Sequence, residues 1–286
     1  MSNTPRHVKS FLIGTYNILN PFHAVKWKTT EGLTEEGADN WDEWRQEAII
    51  KNIEDNQLAI CALQELSDRT SPQLSQRLGE SDMALTKLYK HFTEESEGAH
   101  GVAVLYNTKR FKLLRDQGIK TSVDKYRYAS MVDLEDLSTG FVYRIMSVHL
   151  KGYNPYQEDL NIKSEEQQRG DEEIQEYLSA LFSDNDRIDG MFILGDFNED
   201  TEEMLRREDQ SRQGVLMNKG FNWTGVSQVT ETRSGRQIDW IFYRDQHEGM
   251  HRIITSSSPQ RLEASDHSLT VVRHESALDP LTRFMI

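Results

Sequence analysis

The chain alternates short apolar runs with longer charged segments, and this alternation predicts where its strands and helices lie. Short runs rich in β-branched and aromatic residues, bounded by polar or glycine-containing stretches, are typical of strands. Such runs occupy residues 11–19, 57–63, 101–106, 111–114, 140–150, 191–194, 237–243, 250–256 and 268–274. Because helical segments are interspersed among them, the pattern predicts one α+β domain over residues 1–286, built on two packed sheets with outer helices.

Three charged segments, 40–56, 71–89 and 162–182, have the apolar spacing of surface helices. The positions expected to face the core are Trp41, Trp44, Ala48, Ile49 and Ile53 in the first segment and Ile174, Tyr177, Leu178 and Leu181 in the third. The second segment is expected to be helical only in part. The stretch from Pro21 to Asp39 fits neither pattern and predicts a long loop over one face, a feature that is often functional.

The charge and composition of the chain indicate which kinds of partner it can bind. The 286 residues include 33 basic and 47 acidic side chains, which gives a formal net charge of −14. Since non-specific affinity for nucleic acid comes from lysine and arginine contacts to phosphates, this chain is not expected to bind a nucleic-acid backbone non-specifically. A nuclease remains compatible with the charge, because a local basic path can lie on an acidic body and bound cations can bring phosphate to carboxylates.

The single cysteine and the absence of long apolar runs indicate the compartment. Cys61 lies in the apolar run "LAICAL", so no intramolecular disulfide can form and a buried small hydrophobe is expected. This fits a reducing compartment. No apolar signal-peptide core follows the N-terminus, and no run reaches the length of a transmembrane helix. These features predict an intracellular, cytoplasmic protein.

Polar side chains lie at the ends of six predicted strands, where apolar residues would be expected. They are Asn17, Gln64 with Glu65, His149, Asp196 with Asn198, Asp239, and Asp266 with His267. Carboxylates are rarely buried without a partner, so several core-like segments that each carry one need an explanation. Residues two apart on a strand face the same way, which predicts that Asp196 and Asn198 project together while Phe197 turns inward.

Each of these positions also has a structural interpretation when it is taken alone. A carboxylate at position 65 could cap the following helix, and the asparagine at 17 could be a turn residue. The polar pair in "GDFN" could form an Asx turn, since both residue types favour turns. A lone core histidine, a buried ion pair and a strand cap would account for His149, Asp239 and the Asp266–His267 pair. All six together in one chain favour an active site.

Phosphate ester cleavage needs this set of residue types. Glu65 is a hard oxygen ligand suited to Mg²⁺, and no cysteine cluster or closely spaced histidine pair indicates zinc. Asp196 could orient or deprotonate an attacking water, and Asn198 could hold a phosphate oxygen without adding repulsion. A carboxylate behind His267 would fix its tautomer and favour its charged form, and Asp239 is the candidate for that partner.

The motifs "TYNIL", "LQE", "SVHL", "GDFN", "IDWIFY" and "SDH", in that order, resemble the endonuclease/exonuclease/phosphatase superfamily. Its members include deoxyribonuclease I, apurinic endonucleases, inositol polyphosphate 5-phosphatases, sphingomyelinases and the deadenylase/nocturnin group. The motifs run from Thr15 to His267, so the resemblance covers nearly the whole chain. It implies a four-layer αββα sandwich, in which two mostly antiparallel sheets are flanked by helices and the site lies at one end of both sheets.

The resemblance also implies roles for the matching residues. The implied metal-binding residues are Glu65, Asn17 and Asp266, and the implied catalytic residues are Asp196, Asn198, His267, Asp239 and His149. The implied cofactor is Mg²⁺, with Mn²⁺ as a substitute. Among these, the family's water-activating residue matches Asp196, and its histidine at the scissile phosphate matches His267, with Asp239 as the carboxylate partner.

The segments "NWDEWRQEAIIKNI" and "HGVAVLYNTKRFKLL" resemble the deadenylase/nocturnin branch. The chain departs from that branch after Asn20, where the usual cysteine-containing segment is missing, and in "HLKGY", which replaces an aromatic or histidine. No leucine-rich repeat precedes the domain. The branch implies a Mg²⁺-dependent 3′ exoribonuclease that binds single-stranded RNA. Candidate contacts to bases and phosphates are Phe22, Trp27, Tyr153, Lys26, Lys28 and Lys151.

Three alternatives follow from the same residues. The first is a phosphatase of a small phosphorylated substrate such as an inositol phosphate, a phospholipid headgroup or a nucleotide cofactor. The net charge of −14 favours it, because such an enzyme needs no long basic track. The second is a DNA endonuclease or repair phosphodiesterase. The third is a binding module without activity, which is disfavoured because every expected catalytic position carries the expected residue type.

Overall fold

The computed structural model describes residues 7–20, 43–91, 100–123, 127–152, 160–183, 187–199, 201–223, 237–245, 251–254, 265 and 267–278. The strands in these ranges are β1 His7–Asn17, β2 Ile60–Leu66, β3 Met83–Leu85, β4 Tyr89–His91, β5 His100–Asn107, β6 Phe111–Lys120, β7 Tyr128–Asp136, β8 Val142–His149, β9 Gly190–Asp196, β10 Asn222–Trp223, β11 Asp239–Asp245, β12 His251–Ile254 and β13 Thr270–Leu278. The α-helices are α1 Glu43–Asp55, α2 Thr70–Gly79, α3 Leu160–Leu181, α4 Thr201–Arg207 and α5 Arg212–Asn218.

These strands form two mixed sheets. The first has the order β12-β13-β1-β2-β5-β3, with β4 also pairing with β5, and the second has the order β10-β11-β9-β8-β7-β6. Each sheet contains one parallel pair, β1 with β2 and β8 with β9. A parallel pair needs a crossover connection, and α1 and α3 lie in the two segments that provide it. The carboxyl ends of the paired strands therefore meet at one edge of each sheet.

Three hydrophobic clusters separate four layers. The cluster between the sheets includes Phe11, Ile13, Ile145 and Leu194. Outside the first sheet, residues of α1 and α2 pack on its outer face. Outside the second sheet, residues of α3 and α5 do the same. Each fully buried large apolar side chain contributes roughly 1.5–3 kcal/mol to folding. The layer order is helices, sheet, sheet, helices, which confirms the predicted αββα sandwich.

Most of the predicted elements are present, with bounds that differ by a few residues. The segment 40–56 contains α1, and Ile49 and Ile53 face the core as predicted. Ile50 is buried as well, and Ala48 packs against the cluster only partly buried. The predicted buried stripe of α3, from Ile174 to Leu181, is also found. The predictions for Trp41 and for the loop 21–39 lie outside the described residues, as does the side chain of Trp44.

Several elements were not predicted from the sequence. The partial helix expected within 71–89 is found as α2, and the strands β3 and β4 that follow it were missed. Strand β7 was missed, although residues 132–135 of its segment "YASMVDLED" alternate between apolar and polar. Both faces of β7 are buried, and its polar Asp133 pairs with the buried Arg144 of β8 at 2.8 Å. The short helices α4 and α5 were missed too.

In the part of the chain that the structure describes, no helix has the length and apolar character needed to cross a membrane.

Candidate active site

The polar residues predicted from the sequence converge at one end of the two sheets. Strand β1 ends at Asn17, which lies opposite Gln64 of β2. In the second sheet, β8 ends at His149, which lies opposite Asp196 at the end of β9. Asp196 in turn lies opposite Asp239, the first residue of β11. The parallel pairing of both sheets therefore places residues that are far apart in the chain at a common edge.

Asn17 connects the two sheets within the site. Its Nδ2 donates to Glu65 Oε1 at 3.0 Å and to Asp196 Oδ2 at 3.1 Å, and its Oδ1 accepts from the backbone N–H of Leu19 at 3.0 Å. The other carboxylate oxygen of Glu65 accepts from the backbone N–H of Asn20 at 2.8 Å. Two carboxylates from different sheets are thus held on either side of one amide.

Glu65 reaches the site because the strand that carries it is irregular. Gln64 occupies the position that faces the other sheet, so regular alternation would turn the next side chain away. Glu65 instead has a φ of +60°, and the pairing of β2 with β5 shifts register between Leu63 and Leu66. A positive φ costs about 1–3 kcal/mol for a residue other than glycine, and such residues are concentrated at functional sites.

Asp196 is a buried carboxylate at the start of a tight turn. Burial raises its pKa to about 7, with Asp239 adding to the rise, while His267 and hydrogen bonds from Asn198 and Asn17 oppose it. Its Oδ1 accepts the backbone N–H of Asn198 at 2.8 Å, which is the hydrogen bond of an Asx turn. Phe197 is fully buried, as predicted. The turn and site interpretations of "GDFN" are therefore compatible.

The side chain of Asn198 is held by the neighbouring loop. Its Nδ2 donates to the carbonyl of Leu150 at 2.9 Å, and its φ is +51°. Two glycines allow this close packing. A Cβ on Gly195, whose φ is +149°, would lie 1.9 Å from the carbonyl oxygen of Val148, and one on Gly152 would lie 2.7 Å from Asn198 Oδ1. Larger residues at either position would displace the turn.

His267 and Asp239 form a short polar contact within the site. His267 Nδ1 lies 2.7 Å from Asp239 Oδ2, and its Nε2 lies 3.8 Å from Asp196 Oδ2. Since an ionised carboxylate can only accept, Nδ1 carries a proton and the ring presents Nε2 to Asp196. The backbone N–H of His267 donates to Ser265 Oγ at 3.2 Å, and Ser265 Oγ donates to the carbonyl of Asn17 at 2.7 Å.

His149 faces both carboxylates from the second sheet. Its Nε2 lies 3.7 Å from Asp196 Oδ2 and 4.0 Å from Glu65 Oε1. Arg127 donates to the backbone carbonyl of His149 at 2.5 Å, which fixes the end of β8. The structure therefore brings together seven of the eight residues predicted for the site. Asp266 lies outside the described residues, as do the loop candidates Phe22, Trp27, Tyr153, Lys26 and Lys28.

Two residues beside the site were not singled out from the sequence. His100, at the start of β5, is buried with its Nδ1 3.9 Å from Glu65 Oε2. Arg45 of α1 is buried and donates to the carbonyls of Ile18 and Leu19, in the loop that continues from Asn17. In the sequence, His100 begins the motif "HGVAV" and Arg45 lies in "EWRQ". Both motifs resemble the deadenylase/nocturnin branch, but the resemblance assigned no role to these two side chains.

The residues of this site fit a divalent cation. Asp196, Asp239 and His267 each offer one ligand atom, and these three atoms lie within 4.8 Å of one another. Carboxylate oxygens suit hard cations such as Mg²⁺. The raised pKa of Asp196 shows that negative charge is costly at this buried position, and a bound cation would relieve that cost. Glu65 and Asn17 are the other residues that could hold it, and they can do so while His267 is protonated.

The fold and the site define a class of protein, the αββα phosphoester hydrolases. The chain belongs to the Endonuclease/Exonuclease/phosphatase family, whose sequence profile matches residues 14–267. This confirms the resemblance seen in the sequence. Members of the family hydrolyse phosphoesters and generally depend on a divalent metal. A search of curated protein sequences finds no match.

Several solved structures share the fold. The human Nocturnin catalytic domain is 18% identical with a TM-score of 0.63, over 94% of this chain and 97% of that chain. ANGEL2, a 2′,3′-cyclic phosphatase, is 17% identical with a TM-score of 0.63 over the same shares. A mannosyl-6-phosphatase from Bacteroides thetaiotaomicron is 15% identical with a TM-score of 0.58, over 92% and 98%. At such identities the similarity establishes the fold.

Proposed function

We propose that this protein is a Mg²⁺-dependent phosphodiesterase acting on single-stranded nucleic acid, namely a 3′ exoribonuclease of deadenylase type. The observation that carries the hydrolytic part is the arrangement of Asp196 between two groups, the His267–Asp239 pair and Asn17 with Glu65. A base, a cationic donor and hard oxygen ligands within one buried cluster are what phosphoester hydrolysis requires.

Asp196 is the base for the attacking water in this proposal. Burial raises the pKa of this carboxylate, which makes it a stronger base than an exposed aspartate, and a bound cation would offset part of that rise. The hydrogen bond from Asn198 N–H holds Oδ1, so Oδ2 is the oxygen that faces His267 and His149. The cation, when bound, supplies positive charge for the phosphate oxygens and the leaving group.

His267 and Asn198 hold the phosphate. Asp239 accepts a hydrogen bond from Nδ1 of His267 and so orients the ring. Nε2, in its protonated form, can then donate to a non-bridging phosphate oxygen. The amide of Asn198 has two N–H groups, of which Leu150 accepts from one. The second N–H can donate to a phosphate oxygen without adding negative charge to the site.

Support for an RNA substrate comes from the branch-like motifs and from two relatives. Arg45, from the "EWRQ" segment, anchors the loop that follows Asn17, so a branch motif contacts the site. ANGEL2 is described as a 2′,3′-cyclic phosphatase, and its structure with adenosine-2′,3′-vanadate is 16% identical to this chain. The Nocturnin domain was solved with a bound sulfate anion, which has the shape and charge of phosphate.

A phosphatase acting on a small phosphorylated substrate is the second candidate. The net charge of −14 favours it, because a small substrate makes few of the phosphate contacts that bind a long nucleic acid. The mannosyl-6-phosphatase among the structural relatives shows that the fold accommodates such a substrate. A DNA repair phosphodiesterase stays a third alternative.

A labelled RNA tests the leading proposal. The protein is incubated with Mg²⁺ and a 5′-labelled RNA that ends in an adenosine run, with Asp196→Asn as the control. Parallel reactions contain single-stranded DNA, RNA with a 2′,3′-cyclic phosphate end, and a panel of sugar and inositol phosphates. A ladder shortening from the 3′ end, absent in the variant, supports the proposal. Release of inorganic phosphate from a small substrate, with intact RNA, overturns it in favour of the second candidate.

A further inference from the structure

A chain of buried hydrogen bonds joins the two sheets directly beneath the site. Thr15 Oγ1 donates to Gln64 Oε1 at 3.2 Å, and Gln64 Nε2 donates to Ser147 Oγ at 3.2 Å. Ser147 Oγ donates in turn to the carbonyl of Leu63 at 3.4 Å. All three side chains are fully buried. Thr15 and Gln64 belong to the first sheet and Ser147 to the second, and together they are called the inter-sheet bridge.

Each member of the inter-sheet bridge lies one or two residues before a residue of the site. Thr15 precedes Asn17 by two positions on β1, and Ser147 precedes His149 by two positions on β8. Residues two apart on a strand point to the same face, so Thr15 and Ser147 are one step deeper between the sheets, while Gln64 lies opposite Asn17. Gln64 is directly followed by Glu65. A displacement of the bridge would therefore move the site residues with it.

The layer below the inter-sheet bridge is apolar. Ile13, Ala62 and Ile145 lie two residues earlier on the same three strands and pack in the core between the sheets. Apolar contacts are non-directional, so this layer tolerates small sliding of one sheet over the other. Hydrogen bonds require a defined distance and angle, and buried networks of them specify one arrangement. The polar layer can thus fix the register of the sheets at the level directly beneath the site.

We propose that Thr15, Gln64 and Ser147 are positioning residues, which set the distance and register between the sheets so that Asp196 and His149 meet Asn17 and Glu65. This inference rests on the proposed function, since it assigns to Asp196 the task of activating water. The hydrogen bond from Asn17 to Asp196 and the contact of His267 with Asp239 both join groups from different sheets or their flanking segments. Both depend on the same inter-sheet distance.

The consequence for catalysis is a loss of rate without a loss of affinity. Reacting atoms must lie about 3–3.5 Å apart, and a misplacement of about 1 Å can lower the rate by about 100-fold. The bridge residues do not line the site, so substrate binding should change little. We therefore expect kcat to fall while KM stays within about threefold.

The test replaces the whole bridge by apolar groups of similar shape, in the variant Thr15→Val/Gln64→Met/Ser147→Ala. Removing one partner leaves a buried polar group unpaired and lowers stability, whereas replacing all partners can restore it. We expect the single variant Gln64→Met to lower the denaturation midpoint. The triple variant should recover most of that loss and keep kcat depressed by about 100-fold.

Ser130→Ala is the matched control. Ser130 of β7 lies directly opposite Ser147 of β8 and is fully buried. Within the described ranges no hydrogen-bond partner of its hydroxyl is found. The control removes the same hydroxyl at the same depth without touching the bridge, so its kcat should equal that of the wild type. If kcat recovers with stability in the triple variant, or if Ser130→Ala and Ser147→Ala lose kcat equally, the proposal is overturned.

A spectroscopic readout separates this inference from the proposed function. The Nδ1 proton of His267, in its 2.7 Å contact with Asp239, should give a low-field proton NMR signal that reports the cross-sheet distance. We expect this signal in the wild type and in Ser130→Ala, and its upfield shift or loss in the triple variant. An unchanged signal in the triple variant overturns the inference. Absence of hydrolysis by the wild type on every substrate would refute the proposed function while this signal still tests the bridge.

Discussion

Asp196 shows how one side chain can serve a turn and a reaction centre together. Its Oδ1 accepts the backbone N–H of Asn198, and its Oδ2 accepts from Asn17 and faces His267. The hydrogen bond of the turn thus fixes the rotation of the carboxylate, and this rotation determines where Oδ2 points. The motif "GDFN" can be interpreted as a structural turn or as part of an active site. The two interpretations predict different effects when the charge of Asp196 is removed.

The variant Asp196→Asn separates charge from shape. The asparagine keeps an Oδ1 that can accept from Asn198 N–H, so the turn should persist. It cannot take a proton from water, so kcat should fall by at least about 100-fold. The free energy of unfolding should change by less than about 1 kcal/mol, because loss of the hydrogen bond from Asn17 is offset by removal of a charge that is costly to bury. Steady-state kinetics and urea denaturation measure the two effects, and unfolding of the variant would favour the turn as the main role of Asp196.

Glu65 and Gln64 show what residue types alone cannot decide. Both are polar and adjacent in "LQE", and strand alternation allows only one of them to face the other sheet. Gln64 takes that position, and Glu65 reaches the site only because its φ is +60°. Glu65 was identified by its resemblance to a family motif. The backbone irregularity that aims it has no signature in the residue types themselves.

At the scale of elements, alternation and apolar runs identified most strands of both sheets. Strand β9, in "MFIL", and strand β11, in "IDWIFY", are rich in apolar residues because both faces are buried. The same reasoning missed β7, whose buried Asp133 pairs with Arg144 of the neighbouring strand. A charged residue such as Asp133 is expected to be exposed when only the sequence is known. The structure shows that it is buried because it pairs with Arg144.

Tyr89 of β4 connects the edges of the two sheets, and its hydroxyl should lose its proton at a higher pH than that of an exposed tyrosine. Its hydroxyl donates to Asp116 of β6 at 3.0 Å, and burial, followed by the charge of Asp116, raises its pKa to about 12. A raised pKa means that the folded state holds the proton more tightly than the unfolded state. The stability that this provides is fully present below pH 10 and is lost as the pH rises from 10 to 12.

The variant Tyr89→Phe tests this contact. It should lower the free energy of unfolding at pH 8 by about 1 kcal/mol, because the hydrogen bond to Asp116 is lost. It should also lose less stability than the wild type between pH 10 and 12. Urea denaturation at several pH values measures both effects. Parallel pH curves for the two proteins would show that Tyr89 does not link the sheets in this way.

Arg212 of α5 ties three elements to the turn of the site. Its fully buried side chain donates to the carbonyl of Phe197 and contacts Asp171 of α3 at 3.3 Å. Its backbone N–H donates to Glu199 at 2.6 Å, and Arg207 of α4 pairs with the same carboxylate at 2.6 Å. This buried network holds the segment that follows Asp196.

The variant Arg212→Met should lower the free energy of unfolding by about 3 kcal/mol, because it leaves buried polar and charged groups without their partner. Arg77→Met is the matched control on α2. Arg77 pairs with Glu47 on the surface, with about half of each side chain exposed, so its loss should lower stability far less than the loss of Arg212. Urea denaturation compares them, and equal losses would contradict a structural role for the buried network.

At the scale of the whole molecule, an acidic chain carries a small group of carboxylates that are buried together. The chain has a net charge of −14, and two aspartates and one glutamate lie buried at one end of the sheets. A cation that binds only the folded state stabilises it by about 2.7 kcal/mol at a hundred times its Kd. Mg²⁺ or Mn²⁺ should therefore raise the melting temperature, and EDTA should reverse the increase.

Two controls separate a specific site from general screening of charge. NaCl at the same ionic strength screens the net charge but provides no divalent ligand for the carboxylates. The variant Glu65→Gln keeps the shape of the side chain and removes one charged ligand. We expect a saturable rise for the wild type that is absent with NaCl and much smaller in Glu65→Gln. An equal rise with both salts would contradict the proposed metal site.

That residues 1–286 form one domain also stays a prediction.

The sequence by itself determined the layer architecture, most strands and the chemical types at the site. These follow from local periodicity and from side chains that are costly to bury, which can be recognised without coordinates. Only the tertiary structure decided which residues meet. The parallel pairing of β1 with β2 and of β8 with β9 places Asn17 and Asp196 at strand ends. The packing of the two sheets brings these side chains within hydrogen-bonding distance and joins Gln64 to Ser147 in the bridge beneath them. Register between strands depends on non-local contacts, and these leave no pattern in a single segment.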